Sequence, residues 1–200
     1  MTTTTNTTGG RRFLFLLASA RRDGNAERLA RHAAQALPPQ ADQRWLRLSD
    51  LPLPAFDDHR HEGSGVYAYP EGHGRTLLEA TLEATDIVFV APVYWYSVPA
   101  AAKLYLDHWS GWMRAPGVDF KARMAGKTMW AVSILSDDDE RFADPLLGTL
   151  GLTAQYLSMR WGGSLLRFGN RPGDVFDDPA ASTGADLFFA SIDQPVAATA

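Results

Sequence analysis

Of the chain's 200 residues, 46% are hydrophobic and 21% charged, a composition that supplies one core and excludes a disordered chain. Lysine and arginine total 19 against 23 acidic residues, for a net charge of −4, so the basic excess that nucleic-acid binding requires is missing. There are no cysteines, which excludes disulfide frameworks, thiol nucleophiles, thiolate zinc sites and iron–sulfur clusters.

Residues 1–11, opening MTTTTNTTGG, read as a disordered tail ahead of one domain spanning 12–200. Arg11 and Arg12 before FLFLLASA imitate an export signal. The apolar run is short, however, and reads better as a buried first strand from Arg12 to Ala18, which makes a cytoplasmic chain the expectation. The turn Ser19-Ala20-Arg21-Arg22-Asp23-Gly24-Asn25 follows. A helix then carries Ala26, Leu29, Ala30, Ala33 and Leu37 at helical spacing, ended by Pro38-Pro39. A second strand is expected over Arg44–Leu48. Pro52 to Gly74 is irregular, and its composition suggests a movable wall. Within it Asp57, Asp58, His59, His61, Glu62 and His73 imitate a metal site, but their spacing fits no rigid motif, so solvated residues and no metal are expected.

Arg75–Thr85 reads as a short helix, and Ile87–Ala91 as a strand closed by Pro92. The uncharged stretch between Asp86 and Lys103 is too short to span a bilayer and contains Pro92 and Pro99, so no membrane segment is expected. Pro99 suits the first turn of the next helix, which contains His108, a packing or surface histidine. Thr128–Leu135 forms a fourth strand. Ser136-Asp137-Asp138-Asp139-Glu140 suits a helix start, and that helix runs toward Met159. Ser164–Phe168 is a fifth strand, and a terminal helix lies around Ala185–Ile192. Apolar strands alternating with helices predict an α/β fold, a flavodoxin-like five-stranded parallel sheet of order 2-1-3-4-5 with helices on both faces. Ligands of such sheets bind beyond the carboxyl ends of the strands, near the switch point between strands 1 and 3.

Two loops there carry chemistry. Ser19 to Asn25 is either an ordinary turn with an Asn cap and exposed arginines, or a phosphate cradle. In the second case Ser19 supplies a hydroxyl, Arg21 a charged fork and Gly24 close backbone approach. Pro92-Val93-Tyr94-Trp95-Tyr96 sets three aromatics at a strand end, either roofing the core or bordering a planar ligand. Taken together the loops describe a mononucleotide site, with flavin mononucleotide (FMN) the natural candidate.

With Ser19-Ala20-Arg21 and Gly24-Asn25, then Pro92-Val93-Tyr94-Trp95, Lys103-Leu104 and Leu106-Asp107 in order, the chain resembles the flavodoxin-like NAD(P)H-dependent FMN reductase and quinone reductase superfamily. The resemblance implies FMN as cofactor and NAD(P)H as hydride donor. Ser19, Arg21, Asn25 and Ala26 would hold the phosphate, and Pro92, Val93, Tyr94, Trp95 and Tyr96 would border the ring. It also implies transfer through flavin N5 to a small acceptor (quinone, azo compound, nitroaromatic or free flavin), with no catalytic side chain assigned. A homodimer is implied too, its interface on the Trp- and Tyr-rich helix after Pro99. The alternatives are a non-enzymatic flavodoxin-type electron carrier and a flavin-binding interaction protein.

Overall fold

The computed structural model describes residues 10–190 and 192. Its five parallel strands are β1 (Arg12–Leu17), β2 (Asp42–Arg47), β3 (Asp86–Val90), β4 (Thr128–Leu135) and β5 (Arg160–Phe168), ordered β2-β1-β3-β4-β5. The helices are α1 (Asn25–Ala33), α2 (Gly72–Glu83), α3 (Ala100–Trp112), α4 (Phe120–Met124), α5 (Asp144–Tyr156) and α6 (Pro179–Phe188). The flavodoxin-like expectation therefore holds. The expected tail lies outside the described residues for 1–9, and at Arg11 it needs correcting. Arg11 is anchored through its guanidinium to Asp86, with Nε donating at 3.0 Å and a terminal nitrogen pairing with the second oxygen.

The period of two in a strand sorts the core into two layers. Phe13, Phe15 and Leu17 of β1, with Val88 and Val90 of β3 and Val132 of β4, face Leu29, Ala30 and Ala33 of α1 and Ala185 of α6. Leu14, Leu16, Ile87, Phe89 and Ala131 face the other way, onto Leu77, Leu78, Tyr105, Trp109, Phe120, Leu146 and Leu150. Burial on both faces explains why β1, β3 and β4 read as continuous apolar runs. Tyr105, Trp109 and Trp112 lie in this second layer, each at most 3% exposed, so these rings of the helix after Pro99 are core and would not themselves form the dimer interface expected on it.

Edge strands depart most from expectation. β2 begins at Asp42, two residues early, because its outer face is solvated and carries polar residues. β5 begins at Arg160 rather than Ser164. Its register slips between Met129 and Trp130, so that Trp130 pairs with Gly163 and Gly162 is skipped. A Cβ at Gly162 would come within 2.4 Å of the Trp130 indole. Glycine here makes room for a buried ring and forces a bulge. α6 starts at Pro179, capped by the Asp178 carboxylate accepting from the Ala180 N–H at 2.9 Å, well ahead of the expected Ala185.

The segment before α2 is anchored rather than loose. Phe56 stacks on Tyr67 at 5.9 Å and meets His108 edge-on at 5.6 Å, and His108 Nε2 bonds the Pro54 carbonyl at 2.9 Å. Three of the six candidate metal residues have other partners: Asp58 pairs with Arg60, His59 stacks on Tyr67 at 3.9 Å, and His73 Nδ1 bonds the Pro52 carbonyl at 3.1 Å. No cluster of three potential metal-ligating residues occurs among the described residues, and no described helix is long and apolar enough to cross a membrane.

At the amino end of β3, Asp86 is 1% exposed. It accepts from Arg11, from Thr85 Oγ1 at 2.7 Å and from Trp130 Nε1 at 2.9 Å. Replacing it by Ala strands a buried indole N–H and a guanidinium together. Asp86→Ala should cost about 3 kcal/mol in urea unfolding, while Asp86→Asn, which keeps one acceptor oxygen, should cost clearly less.

Candidate functional site

β1 ends against the turn that starts α1. Ser19 is nearly buried there; its Oγ accepts the Arg21 N–H at 3.1 Å and lies 3.4 Å from the Tyr94 hydroxyl. Asp23 adopts a left-handed φ of 52°, and Gly24 occupies the cap position with no side chain to cap. The first helical hydrogen bond runs from the Arg28 N–H to the Gly24 carbonyl at 3.0 Å. The N–H groups of Asn25, Ala26 and Glu27 therefore have no helical acceptor and point toward the turn. This is the positive end of the α1 dipole.

The expected Asn25 cap is corrected. Asn25 is already helical, one residue past the cap, so its amide cannot fold back over the first turn. It reaches instead to the loop after β5, donating to the Arg171 carbonyl at 2.8 Å and Asp174 Oδ1 at 2.7 Å and accepting from the Gly173 N–H at 2.7 Å. Of Asn25, only the backbone N–H remains for a ligand. Arg21 is exposed, and its guanidinium has no ion-pair partner among the described residues. Arg22 is engaged with Asp50 at 2.5 Å.

Sequence reasoning missed Glu27. It is 3% exposed and receives Arg47 at 2.5 Å, Arg31 at 2.8 Å and the Asp23 N–H at 3.1 Å. Burial by itself would raise its carboxyl. The hydrogen bonds from Arg47 and Arg31, and the Arg47 charge, outweigh that and hold it below the usual carboxylate value. Arg47 also reaches the Arg21 carbonyl at 3.5 Å, so β2 and α1 together fix the turn between them. A glutamate three residues past the cap was the available signal, since that position commonly reaches back to backbone N–H groups before the helix.

Across a cleft of about 200 Å³ from this turn lie Pro92, Val93 and Tyr94. The structure thus brings Ser19, Arg21, Asn25, Ala26, Pro92, Val93 and Tyr94 into one lining. It does not bring Trp95 and Tyr96 with them. These two form the tip of a two-residue turn closed by mutual hydrogen bonds between Tyr94 and Ser97, both at 3.1 Å. Their φ values are 50° and 63°, a left-handed pair usually given to Asn-Gly and strained for aromatic residues. Trp95 is 93% exposed, and Tyr96 rests edge-on against Phe142 at 5.5 Å.

Ile134, Ser136, Gly169 and Asn170 complete the lining. Gly169 is required by close approach: a Cβ there would lie 2.7 Å from Asn25 Nδ2 and 3.1 Å from Ile134 Cγ2. No local signal marked Gly169 and Asn170, which reach the cleft through the β4–β5 pairing, the Gly169 N–H donating to the Leu135 carbonyl at 2.9 Å, and through the Asn25 clamp. The acidic run contributes Ser136 alone. Asp139 caps the following turn and pairs with Arg141 at 2.7 Å.

Residues 11–143 match the family model described as NADPH-dependent FMN reductase. The chain belongs to the NADPH-dependent FMN reductase family. FMN and a nicotinamide dinucleotide are accordingly its cofactors, and the match spans the α1 turn and the Pro92–Tyr94 loop. YwqN of Bacillus subtilis strain 168, described as an NAD(P)H-dependent FMN-containing oxidoreductase, is 28% identical over 166 residues, 82% of this chain and 89% of YwqN. Among solved structures, the Trp repressor binding protein from Bacillus subtilis superposes with a TM-score of 0.69 at 24% identity, over 88% of this chain and 96% of that one. An FMN-dependent NADH-azoreductase from Bacillus anthracis, in complex with FMN, gives 0.64 at 12% identity, over 91% and 99%. These two likenesses show the shared fold.

Glu27→Gln removes the charge that Arg47 and Arg31 share at the α1 turn. It should cost about 2–3 kcal/mol at neutral pH in denaturant unfolding. Because the folded carboxyl titrates below its ordinary value of 4.5, the Glu27 contribution is complete above that value and fades as acidification passes below it. The difference between wild type and Glu27→Gln should therefore shrink as pH falls below about 4.

Proposed function

We propose that the protein is a flavoenzyme that takes hydride from NAD(P)H and reduces a small organic acceptor. The observation that carries this reading is the uncapped first turn of α1, with the unpaired Arg21 at its mouth, facing the Pro92–Tyr94 wall across one cleft. The backbone N–H groups of Asn25, Ala26 and Glu27, the Ser19 hydroxyl and the Arg21 fork suit the phosphate of FMN. The turn is rigid before any ligand arrives, because Glu27 and Arg47 fix it. Pro92, Val93 and Tyr94 orient the ring on the far wall. FMN, when bound there, would supply the redox chemistry, hydride transfer between the nicotinamide and the acceptor. The side chains position and exclude water; none is assigned as acid or base.

The acceptors proposed are quinones, azo compounds, nitroaromatics or free flavin. The exposed Trp95 ring supports them, being an apolar planar surface beside the cleft. The cytoplasmic location and the homodimer expected from the sequence belong to this proposal as well, with any dimer formed through surfaces other than the buried aromatics of α3.

Arg21→Ala should weaken FMN about 10- to 150-fold, the loss of one charge-assisted hydrogen bond, and leave riboflavin, which has no phosphate, unchanged. Loss of both equally, or of neither, contradicts the phosphate assignment. Gly24→Ala tests the space: its φ is −69° and the nearest atoms to an added Cβ are 3.7 Å away. The variant should fold normally yet bind FMN less well. Anaerobic NADPH should bleach the flavin of the loaded protein, and a quinone or azo acceptor should restore its colour with steady turnover. A flavin that NADPH cannot bleach, but a one-electron protein partner can, would make the protein a carrier.

A further inference from the structure

The opposite end of the sheet carries a second concavity. Arg11, Arg12, Arg123, Lys127 and Arg160 line a groove of about 460 Å³ where the strands begin. It is separated from the α1 turn by the length of the central strands, roughly 17 Å for the five residues of β3. In a chain whose net charge is −4, five cations gather here around one carboxylate, Asp86, which already accepts from Arg11, Thr85 and Trp130. Glu83, the nearest other acid in sequence, pairs with Arg44 at 3.1 Å.

Part of this charge has structural work. Lys127 donates to the Leu82 carbonyl at 3.0 Å and to that of Ala84, and Arg12 Nε donates to the Glu83 carbonyl at 2.7 Å. These contacts close the carboxyl end of α2, where cations are favoured. Arg123 and Arg160 are not used in this way. Both are exposed. Arg160 reaches only Thr128 Oγ1 at 3.4 Å, and neither has a carboxylate partner among the described residues. The cation excess shows in Lys127, whose pKa falls to about 8. Burial is the largest cause, and repulsion from Arg123 and Arg12 adds to it. An anion entering the groove would relieve that repulsion and meet two open guanidinium forks.

We propose that this groove is a binding site for a small phosphoanion of diphosphate type, held by Arg123 and Arg160 with Lys127 beneath. A bounded concavity with two planar forks suits a compact anion bearing several oxygens. The site is independent of the cofactor reading, since it shares no residue with the α1 cleft.

The chain has three lysines, Lys103, Lys121 and Lys127, so lysine labelled with carbon-13 at Cε gives three signals. Pyrophosphate is titrated at pH 8 into protein saturated with FMN, which blocks the α1 cleft, and again into Arg21→Ala. In both, only the Lys127 signal should move, saturating with a midpoint at or below about 1 mM. Its titration midpoint should rise from about 8 toward the ordinary lysine value of 10.5. The double variant Arg123→Ala/Arg160→Ala, which removes no described ion pair, should weaken the effect at least about tenfold while FMN affinity and NADPH-driven bleaching stay as in wild type. A Lys127 signal that does not respond, parallel movement of all three lysines, or an undiminished response in the double variant would each overturn the proposal.

Discussion

The first turn of α1 begins on a residue with no side chain. Gly24 leaves the N–H groups of Asn25, Ala26 and Glu27 without an acceptor, and everything else at the cleft either preserves that vacancy or faces it. The Asn25 amide, one residue past the cap and unable to fold back over the turn, is held instead by Arg171, Gly173 and Asp174. Gly24 thus leaves the donors available to an anion, while the Asn25 amide ties the β5–α6 loop to the start of α1. Glu27 then uses its carboxylate on Arg47, Arg31 and the Asp23 N–H, stabilising a left-handed backbone residue that would otherwise cost about 1–2 kcal/mol.

Burial of the sheet dictates where such a vacancy can exist. With α1 and α6 on one face and α2, α3, α4 and α5 on the other, the centres of the strands are closed to solvent. Groups that meet a ligand must come from the ends. At the carboxyl ends the helices present their amino termini, which favour anions; at the amino ends they present carbonyls, which favour cations. The two concavities follow this polarity: one is lined by backbone and side-chain donors with Tyr94, the other by arginines and a lysine. The strain in the Trp95–Tyr96 turn belongs to the same end of the sheet, where the chain holds two large rings outward instead of burying them.

Much of this was legible in the residues. FLFLL and IVFV could be read as strands because both faces are buried, and the alternation with helices gave the sheet order. β2 and β5 were cut short, because an edge strand carries polar residues and because Gly162 and Gly163 imitate a loop unless the Trp130 ring they accommodate is known. The phosphate turn and the aromatic loop were visible as local motifs. Asn25 reads in sequence as a cap but is the first helical residue, since sequence places it beside the helix start and cannot distinguish the two positions. Gly169 and Asn170 carried no signal, being joined to the cleft by contacts across about 145 residues of chain. The loop from Pro52 to Gly74 was read from composition as movable, whereas Phe56, Tyr67 and His108 pack it onto α3.

The α1 turn is proposed to bind the FMN phosphate as a dianion, and phosphorus NMR of the FMN-loaded protein tests this. A phosphate monoester in water gains its second proton near pH 6. Held by backbone N–H groups and the Arg21 guanidinium, it should resist protonation, so the account predicts a resonance fixed at the dianion position from about pH 5 to 8. A bound resonance that titrates near pH 6 as free FMN does would mean that the phosphate lies in solvent, and would contradict the account.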